Sequence, residues 1–130
     1  MIETISQSLN ILIVDDEVNI RKALSVCLGT EGHKVIAASN FQSAFAEASR
    51  RSFELTFADL RLGADNGLDI ILALLTATPW LKIIVITAYA SIDRAVEAMR
   101  RGATDHIPKP FTLAQVKLAV DRVSEMRTLE

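Results

Sequence analysis

Five short apolar runs alternate with five amphipathic stretches along this chain, and that alternation restricts the fold more than any other feature. The runs are LNILIV (9–14), HKVIAA (33–38), ELTFA (54–58), KIIVIT (82–87) and DHI (105–107). They are nearly continuous rather than alternating in polarity, as strands buried on both faces are. Between and after them run apolar stripes at helical spacing: Ile20, Leu24, Cys27 and Leu28; Phe41, Ala44, Phe45 and Ala48; Leu68, Ile71, Leu72 and Leu75; Ile92, Val96, Met99 and Ala103; Leu113, Val116, Val120 and Val123. Gly32 and Gly102 stand where helices should stop, Pro79 follows the third helix, and Thr112 with Gln115 makes a capping-box pattern opening the last. Strand and helix alternating in this way predict an α/β doubly wound parallel sheet, with right-handed crossovers placing helices on both faces.

At 130 residues the chain is the size of one domain with one sizeable core, expected over about residues 9–125. Half of it is hydrophobic and 23% is charged, which excludes a disordered or fibrous class. The apolar runs are strand-length, too short to span a membrane. The opening MIETISQSLN lacks the basic and apolar regions of a secretory signal. Cys27 stands alone, so there is no internal disulfide framework, and a reducing, cytoplasmic setting is expected. A net charge of −2 gives no electrostatic case for direct binding to nucleic acid or an anionic membrane. Arg21-Lys22, Arg50-Arg51 and Arg100-Arg101 are expected to be solvated helix faces.

In a doubly wound sheet, ligands bind outside the carboxyl ends of the strands. The first strand ends in Asp15-Asp16, the third in Asp59 and the fourth in Thr87, and the fifth runs into Lys109. Two carboxylates about 4 Å apart repel by roughly 4 kcal/mol at an effective dielectric near 20, and Lys109 brings one positive charge against three negative ones. Protonation would relieve the repulsion, and so would a divalent cation. Oxygen ligands without His or Cys suit a hard ion, of which Mg2+ is the one that accompanies phosphate chemistry, and the metal is the preferred reading. A cation, an ionised carboxylate, a hydroxyl and a lysine are the parts of a phosphoryl-transfer site, and a carboxylate can itself carry the phosphoryl group. Asp59, at the end of its own strand and before the loop LRLGADNG, is the expected acceptor. Each residue has a plainer role beside this one: Asp15 or Asp16 as a helix N-cap, Thr87 as a strand-end hydroxyl, Lys109 as a loop lysine. His33 and Trp80 are expected in loop or packing roles and Cys27 in the core.

These residues resemble the receiver domains of two-component response regulators. The resemblance covers nearly the whole chain: LIVDDE at the first strand, FADLRL around the acceptor, Gly67 eight residues beyond it, VITAYA at the fourth strand and the IPKPF ending. It implies a flavodoxin-like fold with five strands in the order 2-1-3-4-5 and five helices. It further implies that Asp59 receives a phosphoryl group from a phosphohistidine on a sensor histidine kinase. Asp16 would bind Mg2+ directly, Asp15 partly through water, and Asp59 and the backbone carbonyl of Arg61 would complete the protein ligands. Thr87 and Lys109 would each engage a phosphoryl oxygen, and the Lys109–Pro110 peptide would be cis. Such a domain is a signalling switch and not an enzyme in its own right, catalysing only its own phosphorylation and dephosphorylation. The fourth helix and fifth strand, about Ile92 to Ile107, would form the face that changes, and Arg61 and Tyr89 would tune the lifetime of the phosphoryl group.

A narrower resemblance joins DLRLGADNGLDI, ATPW and TAYASIDRAVEAMRRGATDHIPKPF to receivers of nitrogen-regulator-type transcriptional activators. These carry an ATPase and a DNA-binding domain, neither of which is in this chain, and dimerisation through the helix 4, strand 5, helix 5 face or the C-terminal helix would follow. The last helix reaches Glu130 without a stop signal, as a receiver leading into a linker would. The sequence departs from the common receiver pattern at Gly63, Asn66 and His106; the last stands where an aromatic side chain often acts as a rotamer switch. Two competing classes are a pseudo-receiver that is never phosphorylated and a metal-dependent phosphohydrolase. The acidic pair, Thr87 and Lys109 argue against the first, and the short loops, with no evident general acid or cap, argue against the second.

Overall fold

The structure, a computed structural model, describes residues 8–62, 65–88 and 92–129. Five strands, β1 (Asn10–Val14), β2 (Lys34–Ala38), β3 (Leu55–Asp59), β4 (Lys82–Ala88) and β5 (Asp105–Lys109), form one sheet in the order β2-β1-β3-β4-β5. Every pairing in it is parallel. The helices are α1 (Val18–Thr30), α2 (Phe41–Arg50), α3 (Gly67–Ala77), α4 (Ile92–Arg100) and α5 (Leu113–Leu129). A short antiparallel ladder, Arg61–Leu62 against Asp65–Asn66, follows β3. This is the doubly wound five-stranded architecture expected.

Alternation along each strand feeds two cores. Leu12, Val14, Ala58, Ile83 and Val85 point to the side covered by α2, α3 and α4. Ile11, Ile13, Phe57, Ile84 and Ile86 point to the side covered by α1 and α5. Both faces of the central strands are therefore apolar, which is why their sequences are unbroken hydrophobic runs.

The turn signals act as expected. Gly32 and Gly102 take φ of 93° and 114°, the left-handed region that glycine enters without a steric penalty. Thr112 and Gln115 form a reciprocal capping box: Thr112 N–H donates to Gln115 Oε1 (2.7 Å) and Gln115 N–H to Thr112 Oγ1 (3.1 Å). The apolar stripes depart from expectation in part: Phe45 on α2 and Leu113 on α5 are exposed, and α4 and α3 differ further. On α4 the buried residues are Ala95 and Ala98, whereas Ile92, Val96 and Met99 are 66%, 49% and 40% exposed. The helix sits on the sheet through its small side chains, which turns the larger stripe outward. On α3, Ile70, Ile71 and Leu74 are buried and Leu72 is exposed.

Candidate phosphoryl-transfer site

Parallel pairing with the sheet order β1-β3-β4-β5 brings the strand ends to one edge. Val14 pairs with Ala58, so Asp15 and Asp59 emerge side by side; Asp59 pairs with Ile86, one residue before Thr87; Ala88 pairs with Lys109. Asp15 is fully buried, and Asp59 and Thr87 are only 5% and 3% exposed. Asp16 and Arg61 are exposed. The Lys109–Pro110 peptide is cis.

The Lys109 ammonium lies 3.1 Å from Asp59 Oδ2, 3.3 Å from Asp15 Oδ2 and 2.7 Å from Glu17 Oε1. Sequence reasoning missed Glu17, although the third acid of LIVDDE was the available signal. It stands at the N-cap position of α1 without a side-chain cap hydrogen bond, and its carboxylate turns to Lys109 instead. Neither Asp15 nor Asp16 occupies that N-cap position. Asp15 Oδ1 accepts from Glu17 N–H (2.9 Å), which fixes the turn between β1 and α1. Arg21 is not a simple solvated cation either: its guanidinium donates to the backbone carbonyl of Asp15 (2.9 Å). Arg50 does pair along α2, with Glu47, and Arg101, one residue past α4, pairs with Glu97.

Asp15, Asp16, Glu17 and Asp59 each offer a carboxylate oxygen within 4.8 Å of the others. An octahedral Mg2+ with bonds of about 2.1 Å would need only small side-chain shifts to draw such oxygens together. Asp15 Oδ2 is buried and accepts no hydrogen bond among the described residues, meeting Lys109 only as an ion pair. That orphaned oxygen and the excess of acid over base fit a hard divalent cation. The site has the donor set of one, and no sulfur or imidazole among the described residues competes for it.

Burial pushes the Asp15 carboxyl up to about 6, reinforced by the charge of Asp59 and opposed by the Glu17 N–H and by Lys109. Burial alone would lower the Lys109 pKa, but its hydrogen bonds to Glu17 and Asp59 and the charge of Asp15 outweigh this and raise it, so it stays a cation. The folded protein thus holds a proton on Asp15 more tightly than the unfolded chain does, and that contribution is lost as pH rises from about 4 to 6. Metal-free protein is expected to lose about 3 kcal/mol of stability across this window relative to Asp15→Asn. Thermal melts of both proteins in EDTA check it, and parallel pH profiles would show that Asp15 is not responsible.

Comparison with known proteins gives the family. The response regulator receiver domain family matches residues 11–121, and the chain belongs to it. It is 42% identical over 92% of its length to the alginate biosynthesis transcriptional regulatory protein AlgB of Pseudomonas aeruginosa, of which it covers 26%. NtrX from Brucella abortus superposes with a TM-score of 0.90 at 35% identity, over 95% of this chain and 28% of that one. A response regulator from Burkholderia pseudomallei, crystallised with a phosphorylated aspartic acid, a calcium ion and citrate, gives a TM-score of 0.82 at 34% identity, over 93% of this chain and 72% of that one. The chain spans about a quarter of the length of AlgB and NtrX. The narrower resemblance to receivers of nitrogen-regulator-type transcriptional regulators holds as well. No helix among the described residues is long and apolar enough to cross a membrane. Tyr89 and Gly63 lie outside the described residues.

Proposed function

We propose that this chain is a phosphorylation-driven switch of a cytoplasmic two-component system that controls transcription. The observation that carries the proposal is the buried Asp59 carboxylate, held by Lys109 on one oxygen and by the Arg61 N–H on the other, beside a cluster of acids. An Asp59 oxygen attacks the phosphorus of a phosphohistidine on a sensor histidine kinase; the P–N bond breaks and an acyl phosphate forms. Lys109 neutralises one phosphoryl oxygen and Thr87 donates its hydroxyl to another. Asp16 directly, Asp15 partly through water, Asp59 and the Arg61 carbonyl would hold Mg2+, which supplies charge neutralisation. The phosphorylated aspartic acid of the Burkholderia relative supports the acceptor role.

Signalling follows because the phosphoryl group makes contacts with Thr87 and Lys109 that do not exist before transfer, favouring the conformation that brings them inward. The outward stripe Ile92, Val96 and Met99 on α4 supports the α4, β5 and α5 face as the surface for dimerisation, with the C-terminal helix as the other route. His106 is exposed on β5, free to move as the switch residue of that face, and Arg61 and Tyr89 tune the phosphoryl lifetime. Residues 1–130 act as a single receiver whose α5 leads into an ATPase and a DNA-binding domain of a longer protein. Incubation with acetyl phosphate and Mg2+ is expected to add the mass of one phosphoryl group, with no gain in EDTA or in Asp59→Asn. An unmodified wild type would favour the pseudo-receiver.

A further inference from the structure

One peptide unit links the candidate acceptor to α4. It is the amide between Leu60 and Arg61, and both of its polar ends are engaged. Its N–H donates to Asp59 Oδ1 (2.9 Å). Its carbonyl, on Leu60, accepts from the Gly67 N–H at the start of α3 (3.1 Å) and from the Arg94 guanidinium in the first turns of α4 (2.8 Å). Leu60 is itself 2% exposed, and its own N–H is tied to Ile86 of β4 (3.1 Å). There is no slack around it: a Cβ on Gly67 would lie 2.4 Å from the Leu60 Cα and carbonyl oxygen.

We propose that Arg94 is a positioning residue that couples α4 to Asp59 through the Leu60–Arg61 peptide plane. This rests on the acceptor role given to Asp59. A cation on the carbonyl polarises the amide, so its N–H becomes a stronger donor to the Asp59 carboxylate. That holds Oδ1 in place and leaves Oδ2, the oxygen beside Lys109, facing the cluster. When Oδ2 becomes the bridging oxygen of an acyl phosphate, the carboxylate charge is lost, Oδ1 becomes a neutral carbonyl oxygen, and the Arg61 N–H is left with a weaker acceptor. The plane then tilts, and its carbonyl end pulls on or releases Arg94. The resting state of the site and the placement of α4 thus change together, because they share one rigid amide.

The apolar stripes give no hint of this link, since Arg94 sits in a polar stretch, IDRAVEA, where an arginine is expected to be solvated. In the fold it is only half-exposed and reaches back to a strand-end carbonyl from 34 residues away in sequence.

The test is amide NMR of wild type, Arg94→Met and Arg94→Lys, each with and without beryllofluoride and Mg2+ as a phosphoryl mimic. In the resting proteins the Arg61 amide proton is expected to move upfield in Arg94→Met and to be partly restored in Arg94→Lys, which keeps one charged donor. On adding the mimic, residues 92–100 are expected to respond in wild type and to respond less than half as much in Arg94→Met, while Arg61 itself still shifts. Phosphorylation by acetyl phosphate should slow by roughly threefold to tenfold in Arg94→Met, the size of effect typical for coupling residues. An unchanged Arg61 amide together with a full α4 response in Arg94→Met would overturn the proposal. Should Arg94→Met fail to fold, Arg94→Lys and Arg94→Gln give the same comparison. The resting-state shift does not depend on phosphorylation. A wild type that takes up neither mimic nor phosphoryl group, together with a resting Arg61 amide that still moves in Arg94→Met, would refute the acceptor role of Asp59 and leave the Arg94 tether standing.

Discussion

Replacing Lys109 with methionine is expected to destabilise the metal-free protein by about 3 kcal/mol near neutral pH, because removing one partner of a buried ion pair strands the other. Here two acids are stranded, since Asp15 is fully buried and Asp59 nearly so, and among the described residues the cation within 3.3 Å of both is the Lys109 ammonium. The loss should shrink as pH falls toward about 6, because Lys109 helps hold the Asp15 carboxyl down, and without it Asp15 takes up a proton at a higher pH and needs no counter-charge. Mg2+ affinity should move the other way and rise several-fold, because the ammonium and the cation compete for the same carboxylates. The two directions together identify Lys109 as the resident counter-ion of the cluster. Calorimetric melts with and without Mg2+ measure both, and equal melting temperatures for wild type and Lys109→Met in EDTA would contradict the assignment.

Gly67→Ala is expected to cost about 3 kcal/mol or more, a fall of roughly 10 °C in melting temperature. The added methyl would meet backbone atoms of Leu60 at 2.4 to 2.5 Å, and backbone in a buried strand end has nowhere to retreat. The requirement is one of space, not of dihedral angle, for among the described residues the positive-φ glycines are Gly32 and Gly102. Gly29, within α1, is the control: a methyl added there would meet nothing within 4 Å, and alanine should stabilise by about 0.5 kcal/mol or more. Urea denaturation of the two variants should therefore shift in opposite directions. A near-neutral Gly67→Ala would mean that the Leu60 turn can open.

The sheet was legible because its central strands are buried on both faces. Such strands must be unbroken apolar runs, and the residue that ends each run is then the residue at the binding edge. Asp15, Asp59, Thr87 and Lys109 could be placed together on that ground alone. Helix faces were less legible where the packing side chains are small. Ala95 and Ala98 carry little hydrophobic signal beside Ile92, Val96 and Met99, so the pattern pointed at the face that the fold leaves exposed. Long polar side chains were least legible of all. Glu17, Arg21 and Arg94 look like ordinary surface charges, and their partners are a lysine and two backbone carbonyls brought near only by the sheet topology. No local pattern encodes a contact between residues 17 and 109 or between 60 and 94.

The role proposed for Asp59 is that it, and no other carboxylate of the cluster, carries the phosphoryl group. Its most direct test is to phosphorylate the protein with acetyl phosphate and Mg2+, reduce the acyl phosphate with borohydride, and locate the resulting homoserine by peptide mass mapping. Homoserine at position 59 alone is the predicted result; homoserine at position 15 or 16, 2-amino-5-hydroxypentanoic acid (the reduction product of a glutamyl phosphate) at position 17, or no reduced residue at all, would contradict it.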